Sequence, residues 1–266
     1  MPVYLVDWPS ATSREAIEIL RPAAAAGKAE IGVQLHPWVN PPHEEEVNAR
    51  NSFAGNLSYD LERAKLLRLR DEIERAFSIN PLIYRAGRYG TGPRTGEILR
   101  EAGIAIDTSV RSNFDYSEQD GPDYSAHPLE PYWAGSDHAL MELPVTTVFW
   151  GPLRRQGPAI HRLLRRQPKI SGLLSRLSLL EKIPLTPEGV TLEEALRGID
   201  IAIDDNLPVI VLSFHSPSLV PGHTPYVRSE DALDRLYDWL RGVYGYLMER
   251  GVAPTTVSAI MNAVER

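Results

Sequence analysis

Polar residues that could do chemistry stand where several predicted strands end. His36 follows the run "EIGVQL", Arg85 and Arg88 fall around "LIYRAG", Asp107 lies in "IAIDTS", and His215 follows "VIVLSF". Imidazole titrates near neutral pH, a carboxylate accepts a proton or binds a cation, and arginine orients carboxylates through paired hydrogen bonds. Because parallel strands direct their carboxyl ends to one side of a sheet, we predict that these groups share one site.

The loop after the second predicted strand adds further candidates. In "HPWVNPPHEE", Trp38 is an aromatic wall for a substrate pocket, and Asn40 and His43 bring donor atoms close to His36. The sequence contains no cysteine, so a metal ion here would bind to His, Asp, Glu or Asn. Tyr89 in "YRAGRYG" is a second candidate for substrate binding, and packing is the alternative role of both aromatic residues.

Three other patterns are weaker indications of function. "SFHSPS" suggests a Ser–His nucleophile with Asp204 or Asp205 as the orienting group, but the Gly-x-Ser-x-Gly turn is missing. "RYGTGPRTG" matches neither a phosphate loop nor a dinucleotide fingerprint. The basic "RRQGPAIHRLLRRQPK" is typical of a solvated helical face, with an anionic partner as the alternative.

The elements that must position these residues alternate between short apolar strands and amphipathic helices. Strands are predicted at 3–6, 30–35, 82–87, 104–109, 140–150 and 209–214. Helices are predicted at 11–27, 58–77, 96–103, 191–204 and around 233–250. Thr12 with Glu15, and Thr191 with Glu194, have the spacing of capping boxes. This alternation predicts an α/β fold with a parallel sheet, closed or open.

The domain organisation is predicted to be simple. No linker, internal repeat or low-complexity tract interrupts residues 1–266, so one domain is expected. Residues 154–190 differ in composition, being rich in Leu and Arg, and are predicted to be a helical insertion.

Composition narrows the classes of partner. A net charge of -7 disfavours non-specific nucleic-acid binding, which needs a basic surface. No apolar run approaches the roughly 18 residues of a membrane-spanning helix, and no secretory leader is recognised. These features favour a cytoplasmic protein with no nucleic-acid or membrane partner, and they leave the oligomeric state open.

Several phrases, taken in order, resemble a known family. "EIGVQLHPW", "YRAGRYG", "DTS" and "VLSFHSPSL" resemble the polysaccharide deacetylase superfamily, which has the NodB-homology fold of carbohydrate esterase family 4. Within it, "QLHPWVNPPHEE" and "SFHSPSLVPGHTPYVR" are similar to the WalW-type branch. The resemblance covers nearly the whole chain, from Val3 to about Thr256.

The resemblance implies a fold, a reaction and a metal. Members fold as a deformed (β/α)7 barrel and hydrolyse non-peptide carbon–nitrogen bonds, chiefly by removing acyl groups from amino sugars. They usually bind one divalent metal ion, often zinc, through an aspartate and two histidines. By resemblance, His36 is a metal ligand, Asn40 stands in the second histidine position, and His43 is a further candidate. Another alignment places Gln34 in the first histidine position.

The remaining site residues also receive roles from the resemblance. His215 corresponds to the general acid that protonates the leaving amine. Arg85 or Arg88 corresponds to the arginine that orients the catalytic base, and Asp107, in the resembling phrase "DTS", is a further catalytic candidate. The substrate implied is a carbohydrate.

The chain departs from the family near its start. The family's first motif is a pair of acidic residues after the first strand, and Asp7 is the one early carboxylate at a strand end here. The interval from Asp7 to His36 is 29 positions, too short for the additional strand of the family, so residues 3–6 match its second strand. We therefore expect a barrel without its first strand, through a misassigned start codon or a shortened protein. A closed barrel with Asp7 directed at His36 would contradict that alignment.

Two functions of different classes follow. The first is a metal-dependent hydrolase that removes N-acetyl groups from an amino sugar or polysaccharide and is inactive if truncated. The alternative is a non-catalytic protein that binds a glycan or a partner, as the missing carboxylates suggest. Hydrolysis of a non-sugar amide is a third, less favoured function.

Overall fold

The protein is described from a computed structural model, which covers residues 1–136, 138–164 and 167–264. Its strands are β1 (Val3–Val6), β2 (Glu30–Leu35), β3 (Ile83–Ala86), β4 (Ile106–Asp107), β5 (Tyr132–Trp133), β6 (Met141–Glu142), β7 (Thr147–Trp150) and β8 (Glu181–Pro184). Its helices are α1 (Trp8–Thr12), α2 (Arg14–Ala25), α3 (Tyr59–Phe77), α4 (Thr95–Glu101), α5 (Gly157–Leu164), α6 (Pro168–Arg176), α7 (Leu192–Asp204), α8 (Glu230–Glu249) and α9 (Val257–Val264). None of the described helices is long and apolar enough to cross a membrane.

The main sheet is mostly parallel. Its strand order is β1-β2-β3-β4-β6-β5, and each neighbouring pair is parallel except β5 with β6. A second, antiparallel sheet consists of β7 and β8. The predicted α/β fold with a parallel sheet is confirmed.

Strand β1 lies at one edge of the main sheet. Within the described ranges it pairs with β2 alone, from Val3 opposite Glu30 to Val6 opposite Val33. The described strands therefore do not form a closed hydrogen-bonded ring. The (β/α)7 barrel, and the loss of its first strand, remain predictions.

One predicted strand is divided in two. The run at 140–150 contains β6 and β7, with Pro144 between them. Proline lacks the N–H that a central ladder needs, so the chain leaves one sheet there and joins the other.

Another predicted strand is extended without being part of a ladder. In residues 209–214, the Val211 carbonyl accepts from the Thr146 N–H at 3.3 Å, and the Ser213 N–H donates to the Leu185 carbonyl at 3.3 Å. These partners belong to different segments, so the prediction of a regular strand was wrong although an apolar extended segment is present.

The two faces of the main sheet pack against different layers. The α3 face joins a core that includes Val6, Val33, Leu35, Tyr84 and Ala86 together with Leu66, Leu69 and Ile73 of α3. The opposite face joins a core that includes Val3, Leu5, Ile83, Ile106 and Met141 together with Val209 and Val211. Since successive side chains of a strand alternate between faces, Tyr84 and Arg85 point to opposite sides of the sheet.

Helix caps follow the sequence in one case and not in the other. Thr191 and Glu194 form the predicted capping box, with the Glu194 N–H donating to the Thr191 hydroxyl at 3.3 Å and the Thr191 N–H donating to the Glu194 carboxylate at 2.6 Å. At the start of α2 the prediction was wrong, because Ser13 rather than Thr12 accepts from the Ala16 N–H. Thr12 instead ends the short helix α1, which the sequence pattern did not separate from α2.

The segment 154–190, termed the insertion, contains α5 and α6 followed by β8, and its status as an insertion stays a prediction. Phe149 of β7 contacts the insertion through the ring of His161, with ring centroids 5.8 Å apart. The side chains of Ile160, Leu164 and Leu174 line the same small apolar pocket of about 150 Å³, so the two helices pack onto the body at this point.

Candidate active site

Asp7 and His36 meet where two neighbouring parallel strands end. Asp7 follows β1 and caps α1, accepting from the Ser10 N–H at 3.1 Å and the Ser10 hydroxyl at 2.7 Å. Its second oxygen, Oδ2, lies 3.2 Å from His36 Nδ1. Burial acts to raise the pKa of Asp7, but the hydrogen bonds with His36 and Ser10 outweigh it and hold the pKa below its usual value. Asp7 is therefore ionised at neutral pH and orients the imidazole.

This contact bears on how the start of the chain aligns with the resembled family. Asp7 directed at His36 is one of the two features that would contradict assigning β1 as the family's second strand. The other feature, a closed barrel, is not formed by the described strands. The missing first motif therefore remains a prediction.

The surroundings of His36 are aromatic on one side and open on another. The Trp38 ring lies 4.9 Å from the His36 ring, centroid to centroid, and is 37% exposed. Gly87 follows β3, and a Cβ atom there would overlap His36 Cδ2. Glycine at this position gives the imidazole its space.

Asn40 and His43 occupy different environments in the loop after β2. Asn40 is fully buried, and its Nδ2 donates to the carbonyls of Pro41 at 2.8 Å and Lys65 at 2.9 Å. His43 is exposed. The amide nitrogen of Asn40 therefore holds the loop in place.

Lys65 of α3 completes this loop and was not identified from the sequence. Its fully buried Nζ donates to the carbonyls of Pro37 at 3.1 Å, Asn40 at 2.6 Å and Pro42 at 2.5 Å. It also pairs with Glu45 at 3.0 Å. The sequence does contain a signal for a buried Lys65, because this lysine stands beside Leu66 and Leu69 on the apolar side of a predicted helix.

Arg85 and Arg88 hold backbone segments rather than a carboxylate. Arg85 is buried, and its Nε and Nη2 donate to the carbonyl and hydroxyl of Thr108 at 3.0 and 3.2 Å. Arg88 donates to the Ser52 hydroxyl at 2.5 Å and the Gln119 amide oxygen at 2.7 Å, so it joins two loops. Among the described residues, no hydrogen bond or ion pair joins either arginine to Asp7 or His36.

Asp107 lies opposite Glu142 in a buried carboxyl pair on the α3 face. It is in register with Tyr84 on one side and with Glu142 on the other, so it points away from the face of Arg85. Its Oδ1 accepts from the Ser109 N–H at 3.0 Å, and burial raises the pKa of Asp107 to about 6. Burial and the nearby Asp107 also raise the pKa of Glu142 well above its usual value.

A cavity of about 670 Å³ opens beside this carboxyl pair. Besides Asp107 and Glu142, its lining includes Tyr124, His127 and Tyr132. Glu142 was not identified as a site residue, although a carboxylate inside the apolar run "LMELPV" was a usable signal. Its Oε1 accepts from the Val110 N–H at 2.8 Å, so the pair also fixes the turn after β4.

His215 has a carboxylate partner of its own in Glu188. His215 Nδ1 lies 2.7 Å from Glu188 Oε2, and the His215 backbone N–H donates to Oε1 at 3.1 Å. The Ser218 hydroxyl donates to the same Oε1 at 2.7 Å. Burial acts to raise the pKa of Glu188, but these hydrogen bonds outweigh it and lower the pKa. The His215 side chain is 63% exposed and that of Glu188 only 7%, so a buried anion orients an accessible imidazole.

The predicted site residues thus fall into separate networks. Among the described residues, no hydrogen bond or ion pair joins any two of His36, Arg85, Asp107 and His215. Tyr89 stacks on Tyr116, with ring centroids 6.1 Å apart. With their partners, the predicted residues His36, His215 and Asp107 form two histidine–carboxylate pairs and one carboxyl pair.

The spacing of the His, Asp and Glu side chains decides whether they could hold a metal ion. Within residues 1–136, 138–164 and 167–264, no three His, Asp or Glu side chains come close enough to hold one. Asp7 and His36 are two adjacent donors, whereas zinc sites in proteins generally use three or four protein ligands. The residues present do not fit the three-ligand zinc set that the resemblance implies.

Comparisons with known proteins find similarity among solved structures but not among sequence families. No family model matches the sequence, and no curated protein matches it. Among solved structures, the chain is similar to one described as a "putative polysaccharide deacetylase" from Mycobacterium smegmatis. The two share 19% sequence identity with a TM-score of 0.45, over 96% of this chain and 74% of that chain.

Proposed function

We propose that the protein is a hydrolase that cleaves a non-peptide carbon–nitrogen bond, removing an acyl group from an amino sugar or polysaccharide. The observation that carries this proposal is the contact of 3.2 Å between Asp7 Oδ2 and His36 Nδ1 at the ends of β1 and β2. Side chains at the carboxyl ends of parallel strands are the usual source of catalytic groups in α/β enzymes.

His36 is proposed to be the general base. With Nδ1 directed at the Asp7 carboxylate, the neutral ring carries its lone pair on Nε2, which can take a proton from water. The ionised Asp7 then stabilises the imidazolium that forms, as an aspartate does beside a catalytic histidine. The exposed ring of Trp38 beside His36 offers an apolar surface on which a sugar can stack.

His215 is proposed to be the general acid that protonates the leaving amine. Glu188 holds its Nδ1 at 2.7 Å, so a ring that has gained a proton presents the Nε2 proton to the leaving amine. The exposure of His215 suits a substrate as large as a polysaccharide. This assignment requires that the two histidines approach the same acyl group when substrate is bound.

A divalent metal ion remains part of the proposal, but no step above depends on it. Zinc at His36 and Asp7 would need a further ligand, because the described residues bring no third His, Asp or Glu beside this pair. Equilibrium dialysis of the metal-free protein against zinc, with His36→Gln and His43→Gln compared, tests it without reference to activity.

The experiment that tests the function is release of acetate from N-acetylated glucosamine oligomers. We expect release by the wild-type protein and a loss of roughly 10²–10⁴-fold in kcat for His36→Gln and for His215→Gln. His223→Gln, on an exposed loop histidine, is the matched control and should retain activity. Wild-type protein that releases no acetate with or without zinc would overturn the proposal.

The alternative is a protein that binds a glycan without hydrolysing it. It is favoured by the separation of the histidine pairs and by the lack of a three-ligand metal group among the described residues. Calorimetric titration with the same oligomers separates the two functions. Binding without acetate release, weakened by Trp38→Ala but not by His215→Gln, would support the alternative.

A further inference from the structure

The insertion is a basic segment in an otherwise acidic chain. Between residues 151 and 180 the sequence has seven Lys or Arg and no Asp or Glu, although the chain as a whole has a net charge of -7. Arg155, Arg162 and Arg176 are exposed, and Arg154 pairs with Asp205 at 2.7 Å. This segment therefore presents cationic surface to solvent.

The same segment exposes a group of large apolar side chains. Leu163 of α5 is 80% exposed, and Ile170, Leu173 and Leu177 are 42%, 54% and 58% exposed. Positions 170, 173 and 177 follow the spacing of one face of a helix. We call Leu163, Ile170, Leu173 and Leu177 the outer apolar row.

The outer apolar row is not required for packing the insertion onto the body. Ile160, Leu164 and Leu174 face Phe149 and Leu180 around the small pocket. The two helices are therefore apolar on two sides, one against the body and one against solvent. An apolar surface beside cationic side chains marks a binding surface.

We propose that α5 and α6 dock the protein onto the surface of an anionic lipid membrane. Arginines of the insertion would contact the lipid phosphates, and the outer apolar row would enter the boundary between headgroups and acyl chains. With 8 and 9 residues, the helices would lie along the surface. Sequence composition predicts no membrane partner because it lacks a spanning run, but surface docking needs none.

Charge decides against the other occupants. A symmetric dimer formed through this patch would place it against its own copy, so the exposed Arg155, Arg162 and Arg176 would face basic side chains without a carboxylate from the segment. A purely acidic protein surface would neutralise the arginines but leave the leucines without an apolar partner. An anionic bilayer offers phosphates to the arginines and an apolar interior to the leucines. This inference does not rest on the proposed hydrolase activity.

Vesicle flotation with the full-length protein tests the proposal. We expect binding to vesicles that mix phosphatidylcholine with phosphatidylglycerol, little binding to phosphatidylcholine alone, and weaker binding at high salt. The double variant Leu173→Gln with Leu177→Gln should lower the vesicle partition coefficient by about tenfold or more. The double variant Arg155→Gln with Arg162→Gln should also lower the partition coefficient for the vesicles that contain phosphatidylglycerol.

The matched control is Tyr244→Gln with Met248→Gln on α8, which removes exposed apolar side chains of 54% and 72% exposure outside the insertion. It should bind vesicles as the wild type does. No binding to the mixed vesicles, or binding that the leucine variant leaves unchanged, would overturn the proposal. Analytical ultracentrifugation tests self-association. A wild-type dimer that the leucine variant loses, together with no binding to vesicles, would overturn the membrane proposal in favour of self-association.

Discussion

Asp107 and Glu142 lie directly opposite each other on β4 and β6, and both side chains are almost completely buried. Two neighbouring carboxylates in a poorly solvated site repel each other, so at least one holds its proton. Burial raises the pKa of both groups, and the nearby Asp107 raises that of Glu142 further. The pair therefore couples the stability of the sheet to pH.

The first prediction concerns the pH dependence of that stability. A carboxyl group whose pKa is raised on folding stabilises the fold at low pH, and that contribution is lost as the pH rises through the folded value. For Asp107, with a folded pKa of about 6, the loss falls between about pH 4 and pH 6 and amounts to about 3 kcal/mol. Glu142→Gln, which can still accept from the Val110 N–H, should reduce this loss.

Urea unfolding at several pH values measures this pH dependence of the unfolding free energy. Glu97→Gln, on the exposed surface of α4, is the control. We expect the wild type and Glu97→Gln to lose stability between pH 4 and pH 6 more steeply than Glu142→Gln. Identical slopes for all three proteins would show that the buried pair is not protonated.

The second prediction separates the two roles of Asp7, which caps α1 and orients His36. Asp7→Ser keeps an N-cap acceptor but is too short to reach the imidazole, whereas Asp7→Ala removes both interactions. We expect acetate release to fall by about 10²-fold or more in both variants. Only Asp7→Ala should lose about 1 kcal/mol of unfolding free energy from the missing cap.

Parallel measurements of kcat and of thermal unfolding provide the comparison for Asp7. Full activity in Asp7→Ser would show that its contact with His36 has no catalytic role. Because the pKa of Asp7 is lowered on folding, its contribution to stability should be present at neutral pH and disappear as the pH falls below about 4.

The third prediction concerns Lys65, which is fully buried against Glu45 and the carbonyls of Pro37, Asn40 and Pro42. Lys65→Met leaves the Glu45 carboxylate without its cationic partner and removes the Lys65 donor from the three carbonyls, of which Pro37 keeps the Asn40 N–H. We expect a loss of about 3 kcal/mol in unfolding free energy.

A double-mutant cycle tests the assignment for Lys65. Since Glu45→Gln removes the unpaired charge, the loss in the double variant should be smaller than the sum of the single losses. Lys28→Met, on an exposed lysine, is the control and should change stability little. Additive losses would mean that Lys65 and Glu45 do not interact in solution.

The fourth prediction tests whether the placement of His36 matters. Gly87→Ala adds a Cβ that would overlap His36 Cδ2 and lie 2.6 Å from the Leu35 carbonyl oxygen, so the imidazole must move. We expect at least about a 10-fold loss in kcat, because a displaced base loses its alignment. Gly96→Ala, whose Cβ would meet its nearest neighbour at an ordinary 3.5 Å, is the matched control. Equal activities in the two variants would contradict the role of His36.

The sequence by itself determined the local elements and their order. Helical periodicity places α3 at Tyr59–Phe77 within the predicted 58–77, and the Thr191–Glu194 spacing predicts the start of α7. These features depend on residues a few positions apart, so they can be recognised in one sequence. For the same reason, the positions of His36 and His215 at the ends of extended segments were predictable.

Only the tertiary structure decided which side chains meet. Glu188 lies 27 positions from His215, and Asp7 lies 29 positions from His36, so no local pattern pairs them. Strand register pairs Asp107 with Tyr84 on one side and with Glu142 on the other. Arg85 is one residue further along β3 than Tyr84, so its side chain lies on the opposite face of the sheet. Strand register and burial set these contacts, and both arise from packing across the whole fold.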